Sequence, residues 1–575
     1  MKAIAPEKSF YRWHGLAIAV ATALGAAGPA QAFEIDTSSD WRMNWDNTIQ
    51  YNLGFRAHGM DHDIGNDPIH AESEYKFADR GDVVTNRFSL LSEFDAVFQD
   101  RMGFRISASA WKDFAYDDDA ETKAGYPSNY DNRKYSNYTK KYYMQGSQLL
   151  DAFVFTNFDL LDRPASLRVG RLTQYWGNSL FFSGLGVSYA QSASDLIKAS
   201  AAPGTQAKEL ALPRGQLNFT TQLTDELSLG MQYFLEYDAN RLPTGGTYLA
   251  PVDFLFDGGP DQGGALGGIP RRNSDKPDNN HDNFGVNLRW APGWLDGTLG
   301  AYYRQFDDTQ PYNPFIRVDP MLTPGGVVVA PSSYSLGYAE RVKLFGLSLD
   351  KQIGAYSVGA EVSYRKNTAL NNNSVVFASD ETSGPRGDVL SILVNSVKSL
   401  ERTDFYDTGM AMVELGYTRK LRTTEGNDSY KGVGTAACDA SVVAANNDRT
   451  KGGRETGCST DEAWVIAGMI SPQWLQVFPG VDISTPLFAM YGLEGTAPGI
   501  ASSVPVAQGD VSYSLGISGV MYQRYNLTLQ YNGNYGPSSG TAISPYDGST
   551  YTATGNNLYM LKDRNWWSLT FSSTF

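Results

Sequence analysis

Apolar and polar residues trade places at every second position through much of this chain. From 41 to 56, Trp41, Met43, Trp45, Ile49, Tyr51, Leu53 and Phe55 hold one parity, while Arg42, Asn44, Asp46, Asn52 and Gly54 hold the other. Leu227, Leu229, Met231, Tyr233, Leu235 and Tyr237 alternate in the same way with Ser228, Gly230, Gln232 and Glu236. So do Val511, Tyr513, Leu515 and Ile517 with Ser512, Ser514, Gly516 and Ser518. Period two is the signature of a strand with two different faces. Gly and Ser on the second face suit a wall that looks onto water or an internal plug.

The pattern predicts 18 strands: 41–56, 86–99, 103–114, 148–159, 166–175, 213–222, 226–238, 283–291, 295–306, 340–350, 355–366, 388–398, 407–419, 462–473, 481–492, 510–522, 526–536 and 557–575. The segment at 388–398 has the weakest alternation. Tight turns such as Asp100-Arg101-Met102, Leu223-Thr224-Asp225 and Phe478-Pro479-Gly480 take turns with nine long polar connections. Short turns at one end and long loops at the other are the expected asymmetry of an outer-membrane barrel. The fold class expected is all-β, a closed antiparallel transmembrane barrel of about 18 strands (16–18).

The ends sharpen this reading. Lys2, Lys8 and Arg12 precede an apolar run from Leu16 to Leu24 and the small residues Ala30-Gln31-Ala32. That is the layout of a cleaved secretory signal, so residues 1–32 are expected to be removed and 33–575 to form one barrel domain in the cell outer membrane. No later run is long enough for a membrane helix. At the other end Trp567, Leu569, Phe571 and the terminal Phe575 share one parity, as an outer-membrane assembly signal does; Ser573 stands where an aromatic is commoner.

Composition agrees: 13% aromatic with 34 Tyr, 58 Gly and 42% hydrophobic. Barrels need apolar residues only on alternate positions and concentrate Tyr and Trp at the membrane interfaces. The net charge is −15, or −17 without the signal, which argues against a nucleic-acid partner. Outer-membrane lipid, lipopolysaccharide and the barrel-assembly machinery are the partners the fold calls for. Cys438 and Cys458, the only cysteines, lie in one polar stretch of an exported chain; a disulfide is the simplest reading, a metal pair the alternative.

Several stretches carry a family likeness: Asp79-Arg80-Gly81-Asp82, Leu91-Ser92-Glu93-Phe94-Asp95, Leu167-Arg168-Val169-Gly170-Arg171 with Tyr175-Trp176-Gly177, Pro203-Gly204-Thr205-Gln206-Ala207-Lys208-Glu209, and Asn240-Arg241-Leu242-Pro243. Over nearly the whole mature chain they resemble a proteobacterial outer-membrane family catalogued as a domain of unknown function. The resemblance implies company: a lipoprotein-sorting-like periplasmic protein, an inner-membrane permease of the resistance-nodulation-division type, and neighbouring genes for degrading hydrophobic or aromatic compounds. It brings no catalytic residues.

The third long connection, 176–212, differs from the other eight. Phe181, Phe182, Leu185, Val187, Tyr189, Leu196 and Ile197 give it more apolar surface than a water-facing loop carries, with Asp195, Lys198, Lys208 and Glu209 among them. It is expected to fold into the lumen and narrow it, with a short helical turn at 195–198; a loop packed over the mouth or against a partner is the competing reading. Parity also turns Arg105, Glu236, Arg304, Glu361, Arg365 and Glu414 inward, either as a field that orients a solute or as structural ion pairs.

Chemistry is otherwise sparse. Asp61, Asp63, Asp67 and Glu72 fall in the register of a calcium loop, but Gly65 and Asn66 break its pattern, and Asp117-Asp118-Asp119 is a second acidic run. A barrel hydrolase would need a Ser–His pair on the outer wall, and only His281 stands near one. No enzymatic activity, cofactor or metal is expected. Two functions stay open: a channel or uptake component for small hydrophobic or aromatic molecules, or a plugged barrel anchoring a lipid or hydrophobe transfer assembly.

Overall fold

A computed structural model describes residues 33–35, 40–254, 260–264, 268–272, 276–277, 282–323, 326–373, 375–377, 383–440, 453, 455–499 and 506–575. The signal segment 1–32 and His281 lie outside the described residues.

Eighteen strands form the wall. They are β1 Trp41–Arg56, β2 Val83–Phe98, β3 Met102–Asp113, β4 Gln145–Leu160, β5 Arg163–Leu172 and β6 Arg214–Gln222. Next come β7 Leu227–Phe234, β8 Phe284–Trp290, β9 Gly297–Phe306, β10 Val342–Ile353, β11 Tyr356–Ala369 and β12 Arg386–Leu400. The last six are β13 Thr408–Glu425, β14 Glu462–Phe478, β15 Val481–Ser484 continued by Leu487–Glu494, β16 Val511–Met521, β17 Tyr525–Tyr535 and β18 Trp566–Thr574.

Each strand pairs antiparallel with its neighbours in sequence, and β18 closes the ring on β1 from Thr48 opposite Thr574 to Arg56 opposite Trp566. Phe33–Ile35 extends the same edge of β1, and Phe575 exchanges two backbone hydrogen bonds with Asn47. Closure removes the open edge that a sheet of this size would otherwise present.

The wall is apolar outside and polar inside. On β10, Leu347 is 61% exposed while its neighbour Ser348 is 7% exposed. Trp45, Phe88, Ile106, Val154, Leu515 and Ile517 are likewise exposed, whereas Asn52, Arg304, Glu361 and Glu414 are buried. In water this arrangement would leave a large apolar belt uncovered; in a bilayer it places hydrocarbon against hydrocarbon. No helix among the described residues is long and apolar enough to cross a membrane.

Several boundaries differ from expectation: the thirteenth strand runs to Glu425 rather than 419 and the fourteenth to Phe478 rather than 473. The seventh strand stops at Phe234 rather than 238, and the last begins at Trp566 rather than 557. The residues before Trp566 form a turn at Tyr559–Leu561 whose apolar side chains face the loops instead of lipid, so their hydrophobicity imitates a strand. Strand β12, the one with the faintest alternation, is 15 residues long. The longest strand pairs within the loops are Phe315–Thr323 with Gly326–Ser335 and Ser538–Ile543 with Thr550–Gly555. In the seventh loop Cys438 and Cys458 are joined by a disulfide.

Candidate functional site

The third loop leaves β5 at Leu172 and enters the barrel. Its first half crosses to the far wall, where inward polar side chains bind its backbone. The Glu361 carboxylate on β11 accepts the N–H groups of Asn178, Ser179 (2.9 Å) and Val187 (2.8 Å). Glu414 on β13 accepts three consecutive N–H groups, Leu180 (2.9 Å), Phe181 (2.6 Å) and Phe182 (2.7 Å), and the Asn395 amide besides.

Cations hold the carbonyls. Arg304 on β9 donates to Val187 O (3.1 Å) and Tyr189 O (2.7 Å), and Arg365 on β11 donates to Gly184 O while stacking 4.1 Å over the Tyr189 ring. Ser363 donates to Leu185 O and Asn395 to Asn178 O. Four of the charges expected to face the lumen thus bind the loop's main chain rather than one another. Hydrogen bonds with an ionised partner are the strong kind, and here they saturate backbone groups that are buried or half-buried inside the barrel.

Apolar contacts complete the seat. Phe182 and Leu185 pack on Leu393, Ala463, Val465 and Ala467, Phe181 lies 5.5 Å from Phe488, and Val187 and Tyr189 join Trp176, Phe306 and Leu344. The Tyr189 hydroxyl donates to both oxygens of Asp308, whose pKa burial raises to about 6; burial also pushes the phenol far above its usual value.

The second half returns across the lumen to the strands around the closure. Asp195 caps the short helix Leu196–Ala201 through the Lys198 N–H and pairs with Arg241 at 2.9 Å. Lys198, buried over the Trp111 ring, bonds Glu209 (2.9 Å) and Ser109; burial lowers its pKa while Glu209 opposes the shift. Lys208 reaches Glu93, which also binds Arg105, and Arg105 meets Asp95 and Asp151 as well.

Pro203 ends the crossing, with its carbonyl accepting from Gln50 (2.8 Å), Asn52 (2.8 Å) and Thr570 (3.2 Å). Gly204 follows at φ +82°, where a Cβ would also meet Thr570 at 3.1 Å. Glycine is the residue this turn accepts without strain.

Glu236 corrects the expected set. Strand pairing stops at Phe234, so alternation no longer fixes where Glu236 points. Its carboxylate binds Arg171 (2.7 Å) and the Gly215 N–H (2.9 Å), in the space a Gly215 Cβ would fill. Arg171 and Gly215 are cross-strand partners that share parity with Val169 and the exposed Leu217, so this ion pair stands on the outer face.

The acidic residues of the first loop do not converge. Asp61 caps a helical turn, Asp67 pairs with His70, and Glu72 is bound by Ser128 and Asn129. Asp117, Asp118 and Asp119 pair with Lys76, Lys140 and Lys134. Among the described residues no group of three or more His, Cys, Asp or Glu could hold a metal ion.

The loop covers the wall unevenly. Arg304, Leu344, Glu361, Leu393 and Glu414 on the inward face of β9 to β13 are sealed beneath it, whereas Ser514, Ser518, Thr528, Gln530 and Asn532 on β16 and β17 are only half-buried. A cavity of about 820 Å³ lies over the returning half, between the loops and the inward face of these two strands. A second, of about 450 Å³, lies under the loop's start, lined by Tyr175, Trp176 and wall residues near the short turns such as Asn157, Thr220 and Ser228. Sequence reasoning missed the first cavity, because its apolar side comes from separate loops.

Residues 13–575 match the family described as "Protein of unknown function (DUF1302)". No curated protein matches the sequence. Similar solved structures include DcaP, an outer membrane channel of Acinetobacter baumannii (10% identity, 94% of this chain and 99% of that one, TM-score 0.34). OccAB4 of Acinetobacter baumannii (9%, 94% and 100%, TM-score 0.38) and the outer membrane protein OpdK from Pseudomonas aeruginosa (9%, 93% and 98%, TM-score 0.37) are others. At these scores no residue role or substrate transfers to this chain.

Proposed function

We propose a function from the geometry of the lumen, on the premise that the chain belongs to the DUF1302 family, whose description names no activity. The protein is an outer-membrane channel or uptake component for small hydrophobic or aromatic molecules, and its third loop is the selectivity element. One observation carries this reading: the loop lies inside the wall, fixed on both sides, leaves the inward residues of β16 and β17 only half-buried, and has one cavity over its returning half and another under its start. A solute following that face meets a narrowed path in which Phe181, Phe488 and Met490 stand beside serine and carboxamide groups. The exposed apolar belt supports membrane insertion, and the signal-like leader supports export to the outer membrane.

The test is twofold. Purified protein in planar bilayers should give discrete conductance steps, and a deletion strain should take up hydrophobic aromatic substrates more slowly than its parent. Silent bilayers together with normal uptake would end this reading.

The burial of Arg304, Leu344, Glu361, Leu393 and Glu414 on the inner face of β9 to β13 favours a second one, a plugged barrel that anchors a transfer assembly with a periplasmic lipoprotein and an inner-membrane permease. Co-purification of both partners with a non-conducting barrel would favour it over the channel.

A further inference from the structure

We propose that the 820 Å³ cavity binds an uncharged amphipathic molecule, a neutral ring system carrying a hydroxyl or carbonyl, and discriminates against the matching carboxylate. The proposal rests on the uptake reading above and narrows its substrate class.

Among the described residues that line this cavity there is no Asp, Glu, Lys, Arg or His, although such residues are frequent in the chain, with Asp, Glu, Lys and Arg making up 19%. Arg365 stands behind the lining residue Gly499, but it is buried, stacked on Tyr189 and bound to Gly184 O. An ion entering the cavity would shed water and find no opposite charge in return, the costliest form of burial. A neutral solute escapes that cost.

The two sides of the cavity differ. One is mostly apolar, built by Leu196, Leu242, Leu249, Leu558 and Leu561 from the third, fourth and ninth loops and by Trp566 at the start of β18, with the carboxamides of Gln310, Asn313, Asn371 and Asn557 among them. The other is the β16–β17 face, where Ser512 stands opposite Asn534 and Ser514 opposite Asn532, with Gln530 beside them. Asn532 donates to Ser568 at 3.2 Å, while the Gln530 and Asn534 side chains make no hydrogen bond to another described residue.

A carboxamide offers both a donor and an acceptor, so this face satisfies a hydroxyl or a carbonyl without preferring either sign of charge. The volume is in the range that encloses a ligand of several fused rings. Apolar area against the loops would supply affinity, and the carboxamides would set orientation.

The experiment uses the full mature chain in nanodiscs at pH 7, titrated calorimetrically with 2-naphthylmethanol and with 2-naphthoate. The alcohol should bind at least tenfold more tightly, and Asn532→Asp should weaken its binding at least tenfold. Equal or tighter binding of the naphthoate, or no binding of the alcohol by folded protein, overturns the proposal. Flux of both probes into proteoliposomes separates it from the broader reading. Passage of both without preference removes the neutral-ligand claim and leaves the channel; tight alcohol binding without flux keeps the site and removes the channel.

Discussion

The backbone N–H of Phe182 donates to the Glu414 carboxylate at 2.7 Å across a separation of 232 residues, inside the barrel and out of reach of solvent. One carboxylate thereby saturates three successive amides of the third loop. Removing it strands all three, and a buried unpaired donor costs on the order of 1–3 kcal/mol. Glu414→Ala should therefore loosen 176–189, destabilise the loop by about 3 kcal/mol, and appear as faster amide exchange there and noisier conductance. Unchanged exchange at Leu180, Phe181 and Phe182 would show that the carboxylate is dispensable.

The Lys198–Glu209 pair makes the opposite crossing. Both side chains are more than nine-tenths buried at an Nζ–Oε2 distance of 2.9 Å. Deleting one member of such a pair leaves a bare charge and costs roughly 3–5 kcal/mol, whereas replacing both with apolar groups is often neutral. Lys198→Ala should lower the temperature at which the barrel loses its folded electrophoretic mobility. Lys198→Met combined with Glu209→Leu should recover most of that loss, and failure to recover would assign Lys198 a role beyond pairing.

Acid should tighten the loops. Burial raises Asp308 from an ordinary 3.8 to about 6. A carboxyl with a raised folded value contributes stability that is complete below its unfolded value and is lost as pH rises through the folded one. The window is pH 4 to 6, and the amount is about 3 kcal/mol for a shift of this size. Asp510, raised to about 8 by burial at the foot of the eighth loop, extends the same trend upward. Proteolytic nicking of the loops should increase between pH 5 and pH 8, and Asp308→Asn should flatten the lower part of the curve. A protein that becomes more resistant as pH rises would contradict both assignments.

Phe575 is bound by two backbone hydrogen bonds to Asn47, at 2.7 and 2.9 Å, at the seam. Two bonds contribute little to equilibrium stability beside the continuous pairing of eighteen strands, so deleting Phe575 should scarcely change unfolding in detergent. If the terminal aromatic also serves as the assembly signal with Trp567, Leu569 and Phe571, the same deletion should cut the amount of barrel inserted in cells several-fold. Equal losses in both measurements would make it a structural residue only.

Much of the wall is legible in the sequence because lipid outside and polar groups inside force a strict period of two. Strand β12 shows where that fails. Its inward Val389 and Leu393 are apolar, since Leu393 packs on Phe182 and Leu185 of the loop, so both faces read as hydrophobic. The loop's inward course is legible from its excess of apolar residues.

The manner of its attachment is not. Glu361 and Glu414 look like members of ion pairs until register is known. Their cross-strand neighbours are then Ser348 and Leu393 for the first, Asn395 and Ala467 for the second, with no cation among them. An inward carboxylate without a basic neighbour is the signal that a main chain waits to be bound, and it becomes visible only after pairing is assigned.

Both carboxylates that hold the first half of the third loop, Glu361 and Glu414, come later in the chain than the amides they bind, on strands that follow by more than a hundred residues. During assembly the segment must remain without its partners until the second half of the ring has curled around it, and the last residue then seals the seam. Construction therefore runs inward first and shut last: a lining cannot be installed through a finished wall, so any delay in the later strands leaves an apolar stretch bare.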